Sequence, residues 1–138
     1  MSKDALVASV KTIVSLAKGG KVEEAYRGYR DLFAEDWFPG LRPEDQRQAL
    51  KLMIFAKGVP EPPTPTMKDA HRSALAPLTE LVSTLSEPED FELLGICHVV
   101  LGNEDSAREI FKAALGIERE RSPGSDLCGS LMKRVSSL

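Results

Sequence analysis

The feature that most constrains this fold is a helical hydrophobic period through residues 89–121, broken once at Gly102-Asn103. On both sides of the break, apolar residues recur every three or four positions, which is the spacing of one helix face. A glycine at this point ends a helix and lets the chain reverse. The stretch therefore predicts two antiparallel helices joined by a tight turn. The period is carried by Phe91, Leu94, Gly95, His98, Val99, Ala107, Ile110, Phe111, Ala114 and Leu115.

Two positions on this apolar face are small where a large residue is expected, Gly95 in the first helix and Ala107 in the second. Small side chains let two helix axes approach closely, because ridges on one helix must fit grooves on the other. We therefore expect Gly95 to make room for a bulky neighbour such as Phe111.

The composition favours a single soluble all-α domain and argues against two partner classes. A net charge of −3 disfavours nucleic acid, which requires clustered, uncompensated Lys and Arg. Neither a signal peptide nor a run of roughly 18 apolar residues is present, so we expect no membrane contact. The two cysteines belong to no ligand motif and are expected to be reduced thiols in a cytoplasmic protein.

The hairpin pattern occurs a second time near the N-terminus. Gly20, Ala25 and Tyr29 lie 82 residues before Gly102, Ala107 and Phe111. The earlier stretch predicts a helix over about 3–18 and another over about 22–34, with a stop at Gly19-Gly20. An interval of 82 residues leaves room for one longer unit between the two hairpins.

The middle of the chain predicts two further helices around a proline-rich loop. An apolar stretch over about 42–57 predicts the third helix and the centre of the core. Residues 59–66 contain too many prolines for regular structure, and a fourth helix over about 66–85 includes Pro77. A last amphipathic helix over about 124–136 is expected to cover the end of the domain.

These residues together resemble the tetratricopeptide-repeat (TPR) family. Phe91, Leu94-Gly95, Gly102, Ala107, Phe111 and Ala114 fill the family's positions, with His98 where an aromatic is usual and Arg119 where proline is usual. The resemblance implies an α-α superhelix of about three helical hairpins plus a C-terminal capping helix. Its units would be 3–36, 42–86 with a Pro-rich insertion at 59–66, and 88–121, with the capping helix at 124–136.

The resemblance also implies a concave groove lined by the first helix of each unit. An apolar groove of this kind suits an amphipathic helix or an extended apolar segment of another protein. The implied partner-binding positions are Val10, Lys11, Val14 and Lys18 from the first unit, Gln48, Leu52 and Phe55 from the second, and Glu92, Ile96 and Val99 from the third.

No motif in the sequence predicts catalysis, a cofactor or a metal site. His98 and Cys97 are adjacent on a helix and point in different directions, so they cannot form a nucleophile and base pair. We expect His98 to be a packed interior histidine and His71 a solvated surface one. Cys128 lies on the apolar face of the last helix and is expected to be buried and inert.

Several features have both a structural and a binding interpretation. Trp37-Phe38 either closes the mouth of a hairpin or anchors a partner, and the proline-rich loop is either a connector or a ligand for a polyproline-binding domain. The acidic residues between Glu80 and Glu92 either form a solvated helix end or bind a basic partner.

The sequence therefore predicts a non-enzymatic protein-interaction adaptor that binds a partner segment in an apolar groove. A structural self-association module, with this chain as the subunit of a homodimer or larger homo-oligomer, is the alternative from another class. A chaperone of secreted proteins is a narrower variant, suggested by the similar size and acidity of bacterial secretion chaperones with three TPR-like units.

Overall fold

The structure is a computed structural model that describes residues 3–138, and all regular secondary structure in this part of the chain is helical. The all-α prediction is thus confirmed. The elements are α1 (Lys3–Lys18), α2 (Val22–Phe33), a 3-10 turn (Phe38–Gly40), α3 (Pro43–Ile54), α4 (Pro65–Leu85), α5 (Pro88–Val100), α6 (Glu104–Arg121) and α7 (Asp126–Ser136).

The chain divides into two compact units, Met1–Pro77 and Leu78–Leu138, with the division inside α4. The first contains α1, α2, α3 and the beginning of α4. The second contains the end of α4 followed by α5, α6 and α7.

The core of the first unit is built around aromatic side chains of α2. The rings of Tyr29 and Phe33 stack at 5.8 Å between centroids, and Phe38 meets Phe33 edge-on at 5.3 Å. Phe38 is fully buried and Trp37 is half-buried, so Phe38 fills the position after the hairpin rather than facing solvent. The Ser73 hydroxyl on α4 donates to the Arg30 carbonyl on α2 at 2.7 Å, which fixes α4 to the hairpin.

The two hairpins turn in the same way. Gly20 and Gly102 have φ angles of +82° and +84°, a left-handed conformation that glycine adopts without strain. In each turn the glycine N–H donates to the carbonyl three residues earlier, at 3.1 Å and 3.0 Å. The N–H of the following residue donates to the carbonyl five residues earlier, at 2.9 Å and 2.8 Å. This is the Schellman pattern of helix termination.

Close packing of α5 against α6 dominates the second unit. A Cβ placed on Gly95 would lie 2.4 Å from Cε1 of Phe111, so only glycine admits this ring. The prediction that Gly95 makes room for Phe111 is confirmed. Helix α7 adds Cys128 and Leu131 to the same cluster, which also contains Ala107, Ala114 and Leu115.

Candidate functional site

The first unit carries an open apolar groove between α1 and α3. It consists of two neighbouring depressions of about 310 Å³ and 300 Å³ that share Leu52. We call it the α1–α3 groove. The first depression is lined by Val14, Ala17, Lys18, Val22, Ala25, Tyr26, Tyr29, Leu52, Met53, Ala56, Lys57, Gly58 and Val59, and the second by Lys3, Leu6, Val7, Val10, Lys11, Asp45, Gln48, Ala49 and Leu52.

Helix periodicity explains why α1 contributes a continuous wall to this groove. Val7, Val10, Val14 and Lys18 follow one another at intervals of three and four, so they form one ridge along α1. A second ridge, carrying Leu6 and Ile13, is buried in the core of the unit. The helix therefore buries one apolar side and leaves part of another open to solvent.

Leu52 is the central side chain of the groove. It projects from α3 between the two depressions and is 46% exposed, which is high for a leucine next to a core. Its neighbours Met53 and Ala49 on the same helix are buried, because α3 also packs inward. Leu52 lines the second depression together with the exposed Val7 and the half-buried Val10, and a contiguous apolar patch of this kind is a feature of interaction surfaces.

The floor of the first depression includes the phenol rings of Tyr26 and Tyr29. Burial raises the pKa of both side chains above the usual tyrosine value, and the neighbouring Glu23 carboxylate raises that of Tyr26 further. Both hydroxyls therefore remain neutral at physiological pH. The floor offers apolar ring surface and no fixed charge.

The charged side chains of the groove are mostly lysines. Lys3, Lys11, Lys18 and Lys57 line it, whereas Asp45 is the one acidic residue among the lining side chains. Asp45 also binds two cations, with Lys3 Nζ at 3.5 Å and Arg42 Nε at 3.3 Å. The groove is thus basic in a chain whose net charge is −3.

Six residues predicted to bind a partner lie together in this groove. Helical phase puts the members of each set on one face of α1 or of α3, and the packing of the two helices brings both sets to the same groove. They are Val10, Lys11, Val14, Lys18, Gln48 and Leu52.

Phe55 lies outside the lining of the groove. The sequence predicted that the third helix continues to about residue 57, but α3 ends at Ile54 and Phe55 is its C-cap. Its side chain is 43% exposed. The end of α3 changes the direction of the chain, so helical phase no longer fixes where Phe55 points.

Glu92 differs most from the sequence expectation. Instead of facing a groove, it is 6% exposed, and its carboxylate accepts hydrogen bonds from the Ser130 hydroxyl and Arg134 Nε, both at 2.8 Å. Asp90 is also buried, so the acidic residues between Glu80 and Glu92 are not all at a solvated helix end. Glu92 holds α7 in place and offers no free charge to a partner.

The other two predicted residues of the second unit are in different environments. Ile96 is partly buried and packs against the cluster around Phe111. Val99 is exposed on α5. The three residues predicted from this hairpin thus form no open apolar surface comparable with the α1–α3 groove.

Sequence reasoning missed the contribution of α2 and of the loop after α3. Tyr26 and Tyr29 were assigned to the apolar stripe of the second helix, Lys57 to the end of the third helix and Val59 to the connector after it. A usable signal was present for the loop, since its first residues follow α3 directly and must lie near the end of that helix.

The two cysteines and the two histidines lie outside the groove and are buried or half-buried. Burial raises the pKa of the Cys97 thiol to about 12, and Cys128 is buried as predicted. The prediction for His71 was wrong, since it is 1% exposed, with its Nδ1 2.8 Å from the Met67 carbonyl and its ring 6.2 Å from that of Tyr26. His98 is half-buried and its Nδ1 lies 3.2 Å from the Asn103 amide nitrogen.

Among residues 3–138, no group of three or more His, Cys, Asp and Glu side chains is arranged to hold a metal ion. In the same part of the chain, none of the helices combines the length and the apolar composition needed to span a bilayer. Comparison with models of protein families, with curated proteins and with solved structures gives no match for this chain.

Proposed function

We propose that this chain is a protein-interaction adaptor whose α1–α3 groove binds an apolar or amphipathic segment of another protein. The observation that carries the proposal is the exposed Leu52 at the centre of an apolar groove built on two helices. Six of the ten partner-binding positions that the TPR resemblance implies line the same groove. Rigid helices hold the apolar surface open in advance, which lowers the ordering cost of binding.

The energetics suit a short segment. Covering apolar surface gives about 25 cal/mol per Å², and most of it would come from Val10, Val14 and Leu52. Immobilising the partner offsets part of this gain, by about 0.5–1.5 kcal/mol for each flexible side chain that is ordered. The lysines around the groove would contribute more to association rate and orientation than to affinity.

The proposal extends to a TPR-like arrangement of the hairpins. Two features support it, the shared Schellman turns at Gly20 and Gly102 and the fit of Phe111 over Gly95. In this interpretation α1 and α5 are first helices of repeats, and α7 is the capping helix. Three repeats form such a stack when each covers the apolar side of the next.

Leu52→Asp tests the groove directly. A buried carboxylate in the bound state is unfavourable, so capture of a partner by the tagged protein from its native cells should be lost. Since Leu52 is already 46% exposed, circular dichroism should show native helicity. Met132→Asp is the matched control, because Met132 is 47% exposed on α7 and should not affect capture.

Equal capture by the Leu52→Asp and wild-type proteins would contradict groove binding. Loss of capture by both variants would assign the effect to added negative charge rather than to the groove. Identification of the captured protein also separates a general adaptor from a chaperone, because a chaperone would retain clients that carry secretion signals.

Self-association is the second candidate function. Val7 and Leu52 are both exposed and both line the second depression, so the same face could bind another copy of the chain. Sedimentation velocity at several concentrations distinguishes the two. A monomer at all concentrations supports the adaptor, whereas a dimer that dissociates in the Leu52→Asp variant supports self-association.

A further inference from the structure

The charges of the α1–α3 groove indicate which kind of segment fits it. Four lysines and one aspartate line the two depressions, although the chain as a whole carries a net charge of −3. This local excess of positive charge lies beside an apolar floor. A binding site with these two properties recognises a ligand that is both apolar and acidic.

Three of the four lysines have no partner within the described residues. Lys3 is bound by Asp45, which also binds Arg42. The side chains of Lys11, Lys18 and Lys57 are exposed and form no hydrogen bond or ion pair with any residue from 3 to 138. Their ammonium groups are therefore free to pair with carboxylates of a partner.

Lys11 and Lys18 also have a defined spacing. They are seven residues apart on α1, which corresponds to about 10.5 Å along the axis and to nearly the same side of the helix. Val14 lies between them on the same wall of the groove. Carboxylates seven residues apart on a second helix lying along α1 would match this spacing, with apolar residues between them facing Val14 and Leu52.

We infer that the groove binds an amphipathic helix whose apolar face is flanked by acidic residues seven positions apart. This inference rests on the proposed function, because it assigns the chemistry of the partner to the same groove. Lys11 and Lys18 pair with the two carboxylates, and Val14 and Leu52 contact the apolar face. Lys57 lines the first depression and adds to its positive charge.

Exposed ion pairs are individually weak, so the charges set preference more than total affinity. Together the two pairs should make an acidic helix bind about tenfold more tightly than its uncharged counterpart at low ionic strength. Because these charges remain at the solvent-exposed rim, salt should screen most of that difference. The contribution of the apolar face should persist at high salt.

Three designed helical peptides with one common apolar face test the inference. They carry Glu, Gln or Lys at the two flanking positions seven residues apart, and fluorescence anisotropy measures their binding to the full chain at low and physiological salt. The Glu peptide should bind most tightly and the Lys peptide most weakly, and the difference should narrow as salt increases.

Reversing two charges on α1 tests whether Lys11 and Lys18 cause the preference for the acidic peptide. Lys11→Glu with Lys18→Glu should invert the order, so that the Lys peptide binds most tightly. The matched control is Lys112→Glu with Arg119→Glu, since these residues are also exposed and seven positions apart, on α6. This control changes the net charge of the chain by the same amount and should leave the order of the three peptide affinities unchanged.

The outcomes separate this inference from the proposed function. If all three peptides bind equally and Leu52→Asp abolishes binding of each, the groove function is supported and the acidic partner is ruled out. If no peptide binds, or if binding is insensitive to Leu52→Asp, both fail. Single-stranded DNA that binds as tightly as the Glu peptide and is lost with the Lys11 and Lys18 reversals would show a polyanion site and overturn the inference.

Discussion

The α1–α2 and α5–α6 hairpins have the same turn but place their glycine on opposite helices. In the second hairpin Gly95 lies on the first helix and receives Phe111 from the second. In the first hairpin the order is inverted, because Gly28 on the second helix faces Ile13, whose Cγ1 would lie 2.7 Å from an added Cβ. Close approach requires one large and one small residue, and either helix can supply the small one.

The first helix of each hairpin shows a second difference. Position 92 on α5 corresponds to position 10 on α1 in the 82-residue register. At position 92 a glutamate is covered by Ser130 and Arg134 of α7. At position 10 a valine lines an open depression beside α3. The same helix face is thus closed by hydrogen bonds in one unit and open in the other.

Gly95→Ala should have the largest effect on stability. Three atoms of the Phe111 ring lie within 2.8 Å of the new Cβ, and a ring that is 1% exposed has little room to move. Overpacking of this kind costs about 1–3 kcal/mol, and we expect a loss of about 2 kcal/mol after the gain in helix propensity. Urea unfolding followed by circular dichroism measures it.

Gly116→Ala is the control for this substitution. Gly116 lies inside α6, and nothing is within 4 Å of an added Cβ. Alanine there should stabilise the protein by about 0.5–1 kcal/mol. Opposite signs for the two variants would assign the effect of Gly95→Ala to Phe111, and equal signs would contradict the packing argument.

Arg134→Met should have the next largest effect. It leaves the buried Glu92 carboxylate with the Ser130 hydroxyl as a hydrogen-bond donor, and it removes the guanidinium that lies 5.8 Å from the centroid of the Phe111 ring. Because Arg134 is one-third exposed, we expect the free energy of unfolding to fall by about 2 kcal/mol or slightly less. Removing one partner of a fully buried ion pair destabilises a protein by more than this. Arg119→Met, at an exposed arginine on α6, should change the free energy of unfolding by less than about 0.5 kcal/mol.

Gly28→Ala should have a smaller effect than Gly95→Ala. The new Cβ conflicts with one close atom, Cγ1 of Ile13, rather than with a rigid ring, and we expect a loss of about 1 kcal/mol. Ile13→Ala should cost less in the Gly28→Ala background than alone, because it removes the conflict. Additive losses in the double-mutant cycle would show that the two residues do not interact.

These comparisons show what the sequence could and could not predict. The turns at Gly20 and Gly102 and the pairing of Gly95 with Phe111 depend on local pattern and residue size, and the sequence contains both. For Val10, Val14 and Leu52, helical phase gives the face of each helix, whereas the groove that they share was implied by the TPR resemblance. Gly28 was overlooked because the residue that requires it to be small, Ile13, lies on another helix, α1.

The residues that were misassigned depend on distant parts of the chain. Glu92 is buried because of Ser130 and Arg134, which follow it by 38 and 42 residues. His71 is buried because Tyr26 of α2 packs beside it. A single helix pattern gives the face on which such a residue lies, but the residue that covers this face is known only once the helices are packed.

The two histidines give the smallest predicted effect, a dependence of stability on pH. Burial lowers the pKa of His71 below its usual value, although the hydrogen bond to the Met67 carbonyl partly opposes this shift. Burial also lowers the pKa of His98, which is more exposed. In both cases the unfolded chain binds a proton more readily than the folded one in the range between the folded pKa and about 6.5.

The free energy of unfolding should therefore be unaffected by these groups above about pH 7 and should fall as the pH decreases below 6.5. Urea unfolding at intervals from pH 7.5 to 5.5 measures this slope. His71→Gln keeps a donor for the Met67 carbonyl but cannot be protonated, so it should remove more of the slope than His98→Gln. If His98→Gln reduced the slope more than His71→Gln, the acid sensitivity would come from the half-buried His98 and not from the buried His71.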